Sequence, residues 1–99
     1  MREHDYYTYI LTNKNKTVLY IGVTNDIIDR IIQHMERRYD SFTARYGCCY
    51  LVHLEHYTEI TEAIQREKQL KKWSRKKKEA LTESGNPKWR FMNDDVLRG

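Results

Sequence analysis

Tyr6 to Thr12 (Tyr-Tyr-Thr-Tyr-Ile-Leu-Thr) is dense in aromatic and β-branched residues, the composition of a strand. Val18 to Thr24 reads the same way. The polar loop Asn13-Lys14-Asn15-Lys16 between them has hairpin length, so the two strands are expected to pair antiparallel. A helical pattern follows: Ile27, Ile28, Ile31, Ile32 and Met35 form one apolar stripe. Asn25 is the expected N-cap, with Asp26 and Asp29 in the first turn, where the helix dipole favours carboxylates. Arg30 and His34, four apart, share a face at the edge of the stripe, and the helix should fade near Arg38 to Asp40.

Residues 39–49, which include Gly47, read as irregular. Cys49 to Tyr57 reads as a third strand. Thr58 is the expected cap of a second helix carrying Glu59 and Glu62 in its first turn, with Ile60, Ala63, Ile64, Leu70 and Trp73 as apolar positions. The run Lys71 to Lys78 continues that helix or begins another. Gly85 is a stop signal and Asn86-Pro87 begins a turn. Trp89 and Phe91, in the tail from Lys88 to Gly99, should fold back onto the core. The order β-β-α-β-α plus tail predicts an α+β fold, a small three-stranded antiparallel sheet flanked by helices.

At 99 residues the chain has room for one core, hence a single domain over 1–99. The hydrophobic fraction of 39% supports collapse rather than disorder. No apolar run approaches the roughly 20 residues needed to cross a bilayer. The charged Met1 to Asp5 start does not resemble a signal peptide, so a cytoplasmic location is expected. Cys48 and Cys49 are adjacent, which suits neither an unstrained disulfide nor a zinc knuckle, and they read as reduced. His53 and His56, three apart on a strand, point to opposite faces and make a poor metal pair.

The net charge of +4 is unevenly placed. Arg66, Lys68, Lys71, Lys72, Arg75, Lys76, Lys77 and Lys78 stand against Glu67 alone, a local +7, so the remainder carries −3. Such a patch suits a polyanion, most commonly nucleic acid, although solvated lysine-rich helices share the pattern.

Tyr20-Ile21-Gly22 puts a glycine inside a strand, which signals a bulge or the close approach of another group. With Tyr7-Thr8-Tyr9 upstream, Arg30 and His34 in the next helix, Glu67 within Arg66-Glu67-Lys68-Gln69-Leu70-Lys71, and Asn86-Pro87-Lys88-Trp89 at the end, the chain resembles the GIY-YIG nuclease superfamily, especially its smallest members. The likeness spans about residues 6 to 90. The second motif matches completely; in the first, Tyr7 replaces glycine while the final Tyr9 is kept.

The resemblance implies a metal-dependent endonuclease that hydrolyses DNA phosphodiester bonds, in repair or recombination. Glu67 would be the single protein ligand of a divalent cation. Mg²⁺ (or Mn²⁺) suits one carboxylate completed by water and phosphate. Tyr9 would be the general base or the positioner of the attacking water, and Tyr20 would bond that water or the scissile phosphate. Arg30 would stabilise phosphoryl charge, and His34 would assist proton transfer or bind phosphate. Lys68, Lys71, Lys72, Arg75, Lys76 and Lys77 would hold the DNA, branched or damaged forms included, with a protein partner supplying specificity, and Asn86 would help order the active site or bind DNA.

Structural alternatives stand beside these roles. Glu67 could make a salt bridge, the tyrosines could pack in the core, Arg30 could pair with Asp26, and His34 could be a helix-edge histidine. A register with Tyr9 directly opposite Tyr20 and Thr12 opposite Thr17 would bring both tyrosine hydroxyls to one face. The alternative function is a non-catalytic or partner-dependent nucleic-acid-binding module that retains the fold.

Overall fold

The computed structural model describes residues 4–36 and 42–99. Strands β1 (Tyr6–Thr12), β2 (Leu19–Thr24) and β3 (Tyr50–Tyr57) form one antiparallel sheet in the order β2-β1-β3. Helices α1 (Ile27–Met35) and α2 (Phe42–Tyr46) lie between β2 and β3. Helices α3 (Ile60–Lys71), α4 (Arg75–Gly85) and α5 (Asn93–Leu97) follow. The expected α+β architecture is therefore present, with β1 at the centre.

The hairpin register differs from expectation. Tyr9 faces Gly22 rather than Tyr20, Leu11 faces Tyr20, and Thr12 faces Leu19. The reason lies in the loop, which takes six residues rather than four. The Asn13 side-chain oxygen accepts from the backbone N–H of Thr17 and of Val18, and Lys16 adopts a left-handed φ of 60°. These bonds tie two further residues into the turn. Because side chains alternate with period two, a two-residue shift leaves Tyr9 and Tyr20 on the same face.

Alternation gives the sheet two buried faces. Tyr9 and Leu11 pack with Ile27, Ile31, Cys48 and Leu51 on the first, joined by Met92, Val96 and Leu97 from the tail. Ile10, Ile21, Val52 and Leu70 form the second, joined by Trp73, Leu81, Trp89 and Phe91. The folding back of Trp89 and Phe91 is thus realised, with Phe91 stacked on Tyr50 at 4.2 Å between centroids. The Thr8 hydroxyl donates to the Ala63 carbonyl at 2.8 Å and fastens α3 to that second face.

Element ends depart from the sequence reading in three places. Asp26, not Asn25, caps α1, its carboxylate accepting from Asp29 N–H at 3.0 Å. Thr58 does not cap α3; Glu59 holds the N-cap position without a side-chain bond. Helix α2 occupies part of the stretch expected to be irregular. The expected fading of α1 near Arg38 to Asp40 falls outside the described residues. The basic run is split in two, because Ser74 accepts from Lys77 N–H and starts α4.

The outer edge of β3 is occupied by the tail. Asn93 accepts from Leu51 N–H and donates to the Cys49 carbonyl, both at 2.8 Å, while Met92 N–H donates to the Leu51 carbonyl. Asn86 donates to the Val52 and Arg90 carbonyls. Both cysteines are buried and neither is in a disulfide. His53 and His56 bond separate carboxylates, Glu55 and Asp5.

Candidate active site

Gly22 is the pivot of the first face. A Cβ at this position would lie 2.4 Å from both Cζ and Oη of Tyr9. The glycine expected to admit a close neighbour therefore admits the phenol of Tyr9. That ring is fully buried, held down on the strand it faces.

The Tyr9 hydroxyl lies 3.2 Å from Nε2 of His34, whose Nδ1 lies 3.2 Å from the Thr43 hydroxyl. His34 is 5% exposed, so the structure replaces the helix-edge reading with an interior one. Burial, aided by the positive charge of Arg30 one turn away, lowers its pKa from 6.5 to about 4. The imidazole is neutral near pH 7 and retains a lone pair, the state of a proton acceptor. Sequence reasoning does not single out Thr43, on α2. Nothing in its neighbourhood signals it, since five residues are too few to show a period.

Tyr20 is half-buried beside this pair. Its ring centroid is 6.4 Å from Tyr9, 5.8 Å from His34 and 6.4 Å from Phe42. Arg30 is half-buried and lines a shallow pocket with Tyr6, Val23, Thr24, Asn25, Ile60 and Ile64. Among the described residues it forms no ion pair with Asp26, so the surface-pair reading is not realised.

Glu67 comes from the other side of the sheet. Its helix, α3, buries Ala63 and Leu70 against the second face. Ile60 and Ile64 of the same helix reach Val23, Thr24 and Arg30 at the free edge of β2. Glu67, three residues after Ile64, continues along that side. Its side chain is 15% exposed, with one oxygen 2.9 Å from Nζ of Lys71, which is 51% exposed. Among the described residues it forms no hydrogen bond or ion pair with Tyr9, Tyr20 or Arg30. Tyr9, Tyr20 and His34 are thus in one cluster and Arg30 adjoins it electrostatically, while among the described residues the contact made by Glu67 is to Lys71 on its own helix.

The fit to a metal ion rests on Glu67 alone. Among the described residues no three His, Cys, Asp or Glu side chains converge. A lone carboxylate with one oxygen outside its ion pair, beside a long and exposed lysine, suits a hard cation that keeps most of its waters.

The proposed nucleic-acid contacts divide into two sets. Lys68, Lys72 and Lys76 are exposed. Others are engaged within the fold: Lys71 with Glu67, Arg75 with Glu79 and the Lys16 and Thr17 carbonyls, and Lys77 over the Trp73 ring at 4.6 Å. Asn86 is committed on both sides of its amide, since its oxygen accepts from Arg90 N–H. Arg66 bonds Glu55 through Nε and NH2, and burial of Glu55 is more than offset by bonds from His53, Arg66 and Tyr57, which bring its pKa down to about 2.

The hairpin that puts Tyr9 and Tyr20 on one face, and the helices that follow it, fit a GIY-YIG domain, and the chain belongs to that family. It matches the GIY-YIG catalytic domain over residues 5–80. This is a nuclease domain family whose members generally use a divalent metal. More particularly, the chain is similar to small UPF0213 proteins. One from Bacillus pumilus is 32% identical over 83 residues, covering 84% of each chain. One from Natronomonas pharaonis is 35% identical over 77 residues, covering 78% of this chain and 89% of the relative. The solution NMR structure of a UPF0213 protein from Bacillus halodurans superimposes with a TM-score of 0.57 at 30% identity, covering 86% of this chain and 89% of that one. Among the described residues, no helix is long and apolar enough to cross a membrane.

Proposed function

We propose that the protein is a metal-dependent DNA endonuclease whose site straddles the free edge of β2. The observation that carries this reading is the Tyr9–His34 hydrogen bond with a neutral imidazole at its far end. A phenol, with an ordinary pKa near 10, needs a proton-accepting neighbour to act near neutrality, and Nε2 of His34 is such a neighbour. A single water admitted beside Tyr9 would lose its proton to the phenol oxygen as that oxygen passes its own proton to Nε2. The resulting hydroxide attacks phosphorus in line, and the bond to the leaving sugar oxygen breaks. Burial of Tyr9 leaves Tyr20, the more exposed of the two, to contact phosphate, and Arg30 to stabilise phosphoryl charge. Glu67 would hold a divalent ion, Mg²⁺ or Mn²⁺, supplying charge neutralisation at the leaving oxygen. Lys68, Lys72 and Lys76 would grip the DNA backbone without reading its sequence. A role in repair or recombination, and a cytoplasmic location, accompany this reading.

The test is cleavage of labelled duplex, single-stranded, flap and four-way-junction DNA with Mg²⁺, with Mn²⁺ and with EDTA. Metal-dependent cutting should fall by about 100-fold or more in Glu67→Ala. The Lys71 contact to Glu67 favours a second reading, a module that binds DNA without cutting it. No cutting of any substrate, with equal binding by both proteins, would establish that reading instead. For either reading, log affinity should fall by about 0.9 per neutralised phosphate for each log unit of salt. A flat salt titration by fluorescence anisotropy would remove the lysine patch from the interface.

A further inference from the structure

We propose that Phe42 and Tyr46 form a stacking platform for an unpaired DNA base beside the scissile phosphate, and that this platform selects flapped or single-stranded DNA over continuous duplex. The inference rests on the nuclease reading and names its substrate class.

Three observations support it. Phe42 and Tyr46 remain 48% and 47% exposed, large areas for aromatic rings on so small a protein. They are in contact with each other, 4.7 Å between centroids. They also continue a ring series that begins inside the site, since Phe42 lies nearly parallel to Tyr20, 26° between planes and 6.4 Å between centroids. Ile28, Met35 and Ile60 are similarly exposed, but aliphatic side chains offer no π-face.

The setting favours a nucleic acid as the occupant. Arg45, exposed on the same helix, supplies a cation one residue from Tyr46 and three from Phe42 along the chain, suited to a phosphate. In a continuous duplex both faces of each base are already covered by its neighbours. Only an unpaired or terminal base has a face to give, and base–aromatic stacking tolerates any sequence. The hydroxyl of Thr43, between the two helix positions, fixes His34. The helix that presents the rings thus also orders the imidazole beneath Tyr9.

The experiment uses the full chain in EDTA, with a duplex and a flap DNA carrying 2-aminopurine at its first unpaired position. For wild type, the duplex Kd should exceed the flap Kd by about 5- to 150-fold, the worth of one stacked base, and 2-aminopurine fluorescence should be quenched on binding. Phe42→Ala should bring the ratio towards one and remove the quench, whereas Phe42→Trp should keep both. A wild-type ratio near one overturns the proposal, as does a ratio unchanged in Phe42→Ala or an equal loss on both DNAs. Cleavage of the same DNAs in Mg²⁺ by wild type and Glu67→Ala separates the two readings. Metal-dependent cutting with a ratio of one removes the platform and leaves the nuclease. No cutting with a ratio that depends on Phe42 removes the nuclease and leaves the platform.

Discussion

Replacing Gly22 by alanine will unseat Tyr9. The added Cβ would meet Cζ and Oη of the phenol at 2.4 Å, a separation that neither group can keep. Tyr9 is fully buried against α1 and β2, and its hydroxyl is bonded to His34, so the ring has no open direction. Overpacking of this kind costs typically about 1–3 kcal/mol. The effect on chemistry should be larger, because a displacement of about 1 Å at a reacting group can cost on the order of 100-fold in rate. Urea unfolding and single-turnover cleavage measure the two effects. The strain has one partner, so it should be strongly coupled to that partner. Gly22→Ala combined with Tyr9→Leu should recover stability lost in Gly22→Ala and recover no cleavage. A Gly22→Ala protein as stable and active as wild type would mean that Tyr9 works from another position.

Acid should weaken the fold in two stages, of which His34 is the first. Unfolded, this histidine takes a proton near pH 6.5; folded, it does so only near pH 4. Between those values the unfolded chain holds the extra proton, so stability falls as pH falls. The full window is worth at most about 3 kcal/mol. Glu55 acts below it. Its carboxylate titrates at about 2 when folded against 4.5 as a free group. Its contribution is therefore complete above pH 4.5 and is lost as pH falls towards 2. Urea midpoints at pH 7.5, 5.5 and 4.5 for wild type and His34→Gln resolve the first stage. The variant should be less stable at pH 7.5 yet nearly level down to 4.5, while wild type declines. Parallel curves would show that His34 is not held neutral. Cleavage should likewise lack a limb near pH 6.5.

The residues whose partners lie close along the chain are legible in the amino-acid sequence alone. Tyr20, Gly22 and Arg30 fall on one strand and the next helix, and a glycine in a strand interior signals a bulge or a close neighbour, of which the structure realises the second. The identity of that neighbour is not legible. It depends on register, and register is set by how Asn13 folds its own loop. His34 resembles a helix-edge residue in sequence because the stripe on α1 describes only what α1 gives to the sheet. Its partners lie elsewhere: Tyr9 and Tyr20 on the hairpin, and Thr43, nine residues away on a helix too short to show a period. The sequence offers Asn86 as a residue that orders the site or contacts DNA; that its amide joins the end of α4 to β3 and to the tail is not legible there. Asn93 gives no signal, since its partners at Cys49 and Leu51 lie more than forty residues away.

The amides of Asn86 and Asn93 have a consequence for how this protein behaves in a crowded solution. A sheet edge with unpaired N–H and C=O groups is a template on which a second chain can grow, and a three-stranded sheet always has two such edges. Here the start of β3 spends its outward-facing groups on the amides of Asn86 and Asn93 and on the backbone N–H of Met92, which imitate a neighbouring strand without continuing it. A foreign strand arriving at that start finds the Cys49, Leu51 and Val52 groups already bonded, which disfavours pairing there. The opposite edge, along β2, is where the proposed site lies, so a strand-like intruder there would compete with the proposed substrate.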